Sequence, residues 1–254
     1  MISWNALTLY LYISVRMSGF ILFNPIFGRS SFPGFFKTGM ALMMAVAVYS
    51  SYGGTVEIPG TALEFGLHLI LELGLGFLIS VIMHIFFYIP ELAGRVIDDQ
   101  MGMSMAATYD ASFQSQITTT SNLLNIMMML LFFAANGHVT LLELMMTSGD
   151  IVPFGQAAFG DAVANRVIEL FIECTLLAVK MCLPILAAEL MGQIGMGILM
   201  KVIPQINVFA INIELKVIVG LTMVILMLSP FSQYLLKIEQ GMLLELREAL
   251  ALAV

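Results

Sequence analysis

Charge is what this sequence has least of. Asp, Glu, Lys and Arg make up 11% of its 254 residues, while 60% are hydrophobic and the mean hydropathy is +0.98. A soluble domain carries roughly 25% charged and 45–50% apolar residues, so the shortage excludes an ordinary soluble globule and points to a membrane protein. Positive charge is the scarcer sign. The 10 Lys and Arg residues stand against 17 Asp and Glu, for a net charge of −7, and the bases are scattered along the chain. Neighbouring residues therefore assemble no phosphate-reading patch, and a nucleic-acid partner is not expected.

Cysteine is reduced to Cys174 and Cys182, eight positions apart inside one apolar run. No zinc ribbon or thioredoxin-like site uses that spacing, and both read as small buried apolar side chains. A cleavable targeting signal is missing as well. The segment MISWNALTLYLYISVRMSGFILF has no basic leading region, carries Arg16 within its apolar part and lacks a small-x-small cleavage site, so it reads as retained. Low-complexity tracts, repeats and long linkers are absent, and residues 1–254 read as one all-helical domain.

What is present is a series of about six apolar blocks, near 5–27, 37–52, 63–89, 123–147, 167–200 and 208–236. At 1.5 Å per residue most of them can cross a hydrocarbon core of roughly 30 Å, the second being marginal. This pattern predicts an all-α, integral membrane-associated multi-helix bundle with a central loop. If the blocks alternate across a bilayer, Arg29, Lys37, Arg95, Lys201 and Lys216 collect on one side and Arg166, Lys237 and Arg247 on the other, a small positive-inside asymmetry.

The few charges sit in awkward places. Arg16, Glu64, Glu72, Glu169, Glu173, Lys180, Glu189 and Glu214 all fall inside apolar runs, where insertion scales put a charge at about +2.5 to +3.5 kcal/mol. Such groups need protein or water around them. Arg16, Glu72, Glu169, Glu173 and Lys180 are therefore expected to pair between helices or between subunits, the alternative being contact with a transported substrate. Spacing lets Glu169, Glu173 and Lys180 share one helical face.

Motifs for catalysis or cofactor binding are not found. Glu64, His68 and Glu72 share a helical face at i, i+4, i+8, but neither His84 nor His138 adds a local ligand pattern, so no metal is expected. Ser104 lies in GMSM, which lacks the second glycine of a nucleophile elbow. GQIGMG at 192–197 has its glycines misplaced for a dinucleotide fingerprint, and its small residues suit close helix approach instead. The chain reads as a non-enzyme without cofactors.

Methionine is in excess at 21 residues, and the alternating Met101, Met103 and Met105 lead into the polar stretch QMGMSMAATYDASFQSQITTTSNLLN at 100–125. Unbranched thioethers repack around irregular partners, which suits a deformable seal. Just before it, Asp98 and Asp99 follow Arg95 by three and four positions, so one helical face can bring a base against an acid.

Four stretches, NPIFGRSSFPGFFKTGMAL (24–42), ELAGRVIDDQMGMSMAATYD (91–110), ANGHVTLLELM (135–145) and PQINVFAIN (204–212), resemble in order and spacing the FliR family of flagellar export-gate proteins and its injectisome relatives. The QMGMSMA and PQINVF elements look closer to the flagellar form. Two departures from the family pattern fall at Asp110–Ala111 and at Asn212–Leu215.

The resemblance implies a structural subunit of the type III export gate, packed in a helical hetero-oligomer with FliP-like and FliQ-like subunits and an FlhB-like subunit. It implies a place among lipid in the bacterial inner membrane, at the flagellar basal body, and unfolded secreted proteins as substrates. The loop at about 105–116 is implied to reach into the pore as a plug. Its residues are Met105, Ala106, Ala107, Thr108, Tyr109, Asp110, Ala111, Ser112, Phe113, Gln114, Ser115 and Gln116, with Met101 and Met103 leading in and Arg95, Asp98 and Asp99 in support. Small polar groups would offer unselective contacts to a passing polypeptide, and Tyr109 and Phe113 would fill the closed lumen. The rival readings are an injectisome gate subunit and a small-solute secondary transporter, the latter needing paired halves with broken helices.

Overall fold

The computed structural model describes residues 4–54, 56, 59–103, 118–202 and 208–253. Seven helices are described: α1 (Trp4–Phe23), α2 (Gly34–Ser51), α3 (Ala62–Met101), α4 (Thr119–Ala134), α5 (Gly137–Ile151), α6 (Asp161–Val202) and α7 (Val208–Ala251). Among the described residues there is no strand. The expected all-α class holds. Four helices are long and apolar enough to cross a membrane, or five if α4 and α5 count as one broken span.

The helices differ from the apolar blocks in two ways. The block at 123–147 is divided, because Asn136 takes the left-handed conformation at φ 59° and separates α4 from α5. Asn tolerates that region through its short polar side chain. In the other direction, α3, α6 and α7 run for 40, 42 and 44 residues, which at 1.5 Å per residue is about 60–66 Å, twice a hydrocarbon core. Pro90, Pro184 and Pro230 lie inside these helices without ending them.

The chain forms two compact units, one of Met1–Phe86, Asn136–Phe171 and Glu239–Val254, the other of Phe87–Ala135 and Ile172–Ile238. In the first unit Tyr12, Ile13, Met17, Phe20 and Ile21 of α1 and Leu75, Ile79, Ile82 and Met83 of α3 are all at most 1% exposed. Backbone contact makes this crossing tight. A Cβ on Gly19 would lie 2.6 Å from the Leu73 carbonyl oxygen, and one on Gly76 would run into the Arg16 carbonyl. The glycines of GQIGMG behave differently from expectation: a Cβ on Gly195 or Gly197 would meet nothing within 4 Å.

Arg16 lies on the same face of α1 and is 0% exposed. Its guanidinium grips Glu72 of α3 bidentately, Nε donating to Oε2 at 2.5 Å and Nη2 to Oε1 at 3.0 Å. Nη1 donates to the Val152 carbonyl at 3.0 Å and to Ser148 Oγ at 3.4 Å, and the Gly155 amide donates to Glu72 Oε1 at 2.7 Å. The Phe154 ring covers the guanidinium, its centroid 4.1 Å from Cζ. One ion pair thus fixes α1, α3, α5 and the segment after α5.

In the second unit Ile89, Ala93, Ile97 and Met101 form the buried stripe of α3, with Leu124, Met128 and Phe132 of α4, Ala178, Met181 and Ile185 of α6, and Leu235 of α7 also buried. Cys174 and Cys182 are buried, as the sequence suggests.

Removing one partner of a buried ion pair strands the other charge, at a cost of about 3–5 kcal/mol. Arg16→Ala and Glu72→Ala are each expected to lower the thermal unfolding temperature of the detergent-solubilised protein sharply. Arg16→Met with Glu72→Leu should recover most of the loss. Single variants that melt like the wild type would remove the pair from its central place.

Candidate functional site

Residues Met105 to Gln116, the expected plug, lie outside the described residues. Their two stems are described: α3 with Gly102 and Met103 after it on one side, and Thr118 leading into α4 on the other. Both stems belong to the second unit.

A helix start leaves its first amides without intrahelical partners. At α4 the N-cap residue Thr118 makes no capping bond with its side chain, and its hydroxyl donates instead to Ser121 Oγ at 2.9 Å. The cap comes from α3. Asp98, 0% exposed, accepts the Thr120 amide on Oδ2 at 2.8 Å and the Thr120 hydroxyl on Oδ1 at 2.5 Å, across 22 positions of sequence. A carboxylate there receives charge-assisted bonds and faces the positive end of the α4 dipole. Ser121 adds a second tie by donating from Oγ to the Glu91 carbonyl at 2.7 Å. The two backbones can come this close only because position 94 is glycine: a Cβ there would run into the Ser121 amide and Cα. The helices on either side of the central stretch are therefore clasped together at a neck.

The α3 side of the neck ends at Gly102, whose φ of +78° is left-handed and whose amide donates to the Asp99 carbonyl at 3.1 Å. Glycine takes this helix-ending conformation without a Cβ penalty. Met101, the last residue of α3, is 0% exposed. Its thioether occupies the space beside Gly220 of α7, where a Cβ would strike Met101 Cγ and Sδ and lie 3.0 Å from Glu189 Oε1. Met103 is half-buried. Of the expected sealing methionines, Met101 thus anchors the neck in the core of its unit.

The charges grouped with the plug separate. Arg95 faces Glu91, one turn back, at 3.6 Å; Asp98 turns inward to Thr120, and Asp99 is exposed. Glu169 is exposed and lies 3.3 Å from Arg166, which makes its shorter contacts with Glu245 at 2.6 and 3.2 Å. Glu173 and Lys180 are exposed on α6. Glu64 approaches His68 at 4.0 Å while Glu72 turns to Arg16, so the three do not converge. Among the described residues no three metal-ligating side chains gather.

Thr120, Ser121 and Gly94 were not singled out from the sequence. A signal was there: TTTS at 118–121 ahead of an apolar run marks a helix start. Its capping acid could not be located that way, since it lies on another helix.

Asp98→Ala leaves the Thr120 amide unsatisfied in a buried setting and removes charge-assisted bonds, together costing about 2–3 kcal/mol. A cost above 1.4 kcal/mol corresponds to about tenfold more open neck, so chymotryptic cleavage at Tyr109 and Phe113 should accelerate by at least that factor. Thr120→Val should give a smaller increase, and the double variant less than the sum. Cleavage of Asp98→Ala at the wild-type rate would mean that the clasp does not restrain the stretch.

Comparison with known proteins bears on what this neck serves. The model of the family described as bacterial export proteins, family 1, matches residues 7–242. The chain is 28% identical over 227 residues to the flagellar biosynthetic protein FliR of Bacillus subtilis (strain 168), covering 87% of this chain and 86% of the relative. It is 25% identical over 238 residues to the protein of the same name from Escherichia coli (strain K12), covering 92% and 90%. With the Yop proteins translocation protein T of Yersinia pestis it shares 27% identity over 184 residues, covering 71% and 70%. A match that runs from α1 through both sides of the neck to the last turns of α7 covers nearly all of the fold, and the chain belongs to family 1 of the bacterial export proteins.

Proposed function

We propose that this chain is a structural subunit of the flagellar type III export gate, and that residues 105–116 plug its pore. The observation that carries this reading is the family match over 7–242, which spans the neck and the stretch it holds. The flagellar form is favoured over the injectisome form because the two FliR proteins align over 87% and 92% of the chain, against 71% for the Yop translocation protein. The subunit is a non-enzymatic part of the apparatus and sits in the bacterial inner membrane at the basal body.

Physical features favour an assembled state. Of the most apolar windows of α6 and α7, only 33% and 17% is buried within the chain. Met191, Ile194, Ile198, Val202, Ile218 and Ile225 are 59–71% exposed. So much bare apolar surface needs lipid or protein against it. Helices of about twice the bilayer thickness cannot be covered by hydrocarbon alone, so neighbouring subunits of the FliP-like, FliQ-like and FlhB-like kinds are the proposed cover. A transporter built on discontinuous helices is disfavoured, since Pro90, Pro184 and Pro230 all lie within unbroken ones.

A gate must block ions when shut and pass any polypeptide side chain when open. Residues 106–116 combine small and polar groups with Tyr109 and Phe113, which suits both states, and the Asp98 to Thr120 clasp lets them be displaced without unfolding the frame.

The test is the sign of a deletion. Removing residues within Ala106–Gln116 takes little buried apolar area from the helices, so the complex should assemble at near-normal levels while leaking ions. Ion flux through liposomes carrying the whole complex would report this, with Phe113→Ala and Tyr109→Ala giving milder leaks. A deletion variant that assembles normally and stays as tight as wild type would sink the plug.

A further inference from the structure

We propose that the cavity beside the Arg16–Glu72 pair is a binding site for a primary ammonium group. It lies within the first unit, encloses about 370 Å³, and is lined by Tyr12, Glu64, His68, Phe154 and Gln156 among others. This volume is at the lower end of small-molecule sites, which run about 300–1,000 Å³.

Several of the polar groups around it can accept a hydrogen bond. Glu64 holds the Gly60 amide on Oε2 at 2.8 Å and places Oε1 4.0 Å from His68 Nε2. In the tautomer that places the proton on Nε2, toward Glu64, Nδ1 keeps its lone pair. Neither His68 Nδ1 nor the hydroxyl of Tyr12, itself 1% exposed, has a hydrogen-bond partner among the described residues. Buried polar atoms left this way are uncommon and call for a partner. Arg16 cannot serve the cavity, because its donors are directed to Glu72, Val152 and Ser148.

Aromatic rings complete the walls. Tyr12 stands edge-on to His68 with ring centroids 6.1 Å apart and against Phe65 at 5.6 Å, and Phe154 closes another side. Ring faces attract cations. A carboxylate, a lone-pair nitrogen and a phenol oxygen match the three donors and single charge of an ammonium. An anion would face Glu64 with no Lys or Arg among the lining residues, and one carboxylate with one imidazole falls short of the ligand count a zinc ion takes. Leu63, Leu67 and Ile70, at 83%, 54% and 67% exposure, flank Glu64 and His68 on α3. The ammonium can therefore arrive as a free small amine or as the ethanolamine headgroup of a phospholipid whose chains lie on that surface. The site is formed by residues of this chain alone, and its test rests on the export-gate reading only for the complex in which the chain is held.

The test uses the assembled complex in nanodiscs, with free ethanolamine as probe and calorimetry as readout. In discs of phosphatidylglycerol alone, ethanolamine should bind saturably, and choline, which has the charge without the N–H donors, at least tenfold more weakly. Glu64→Gln, whose amide oxygen can still hold Gly60, should weaken ethanolamine at least tenfold, and Tyr12→Phe several-fold, in complexes that elute and melt like wild type. Discs containing phosphatidylethanolamine distinguish the source: loss of free-amine binding there names the lipid headgroup, and unchanged binding names the free amine, the site standing in both cases. Absence of saturable binding in the phosphatidylglycerol discs, equal affinity for choline, or an unaltered affinity in both variants would overturn the proposal. If Glu64→Gln fails to assemble, Tyr12→Phe decides alone.

Discussion

A guanidinium cannot be left alone among apolar side chains. Desolvating an ion costs several kcal/mol even after the surroundings relax, and Arg16 is the largest of the fully buried side chains among the described residues. Its position dictates much else. Glu72 must face it from α3, the carbonyl of Val152 and the hydroxyl of Ser148 must reach it from the α5 end, and Gly155 must bring its amide to the carboxylate. Each of those demands fixes a backbone segment, so the order of elements in the first unit follows from satisfying a single charge. The bare glycines at 19 and 76 allow the helices to close on it.

The same rule operates at the neck with a different donor. Asp98 is as completely buried as Arg16, and its partner is the start of a helix, a fractional positive charge built from peptide dipoles. In both places a buried charge is held by groups distant in sequence, 56 positions away for Glu72 and 22 for Thr120. Long-range pairing of this kind explains why the chain tolerates ions in segments too apolar to hydrate them.

That distance also sets what could be read from the sequence. Arg16 and Glu72 stand out against apolar surroundings by composition alone, but their pairing with each other does not, and Asp98 reads as one of a charged group with Arg95 and Asp99 with nothing to mark Thr120 as its partner, because nothing local encodes a contact across tens of residues. The C-terminal end of α7 shows a different failure. Residues 237–251 carry more charge and fell outside the last apolar block, yet Met242, Leu246 and Leu250 recur every fourth position and are all 0% exposed, a helical period that a search for unbroken apolar runs passes over. The division at Asn136 was half visible, since asparagine before glycine permits a left-handed residue without requiring one.

The neck bounds what the held stretch can do. Fifteen peptide units separate Met103 from Thr118, so the connection spans about 50 Å when fully extended at 3.3–3.6 Å per residue. Asp98 and Thr120, which bracket it, are hydrogen-bonded to one another, so an out-and-back path would carry its midpoint no more than about 25 Å from the neck. A bilayer core is about 30 Å thick. A plug of that length, as proposed, would act close to its own neck rather than travel with a substrate. If the stretch is the proposed plug, the Asp98 to Thr120 bonds would hold its frame together while it is displaced.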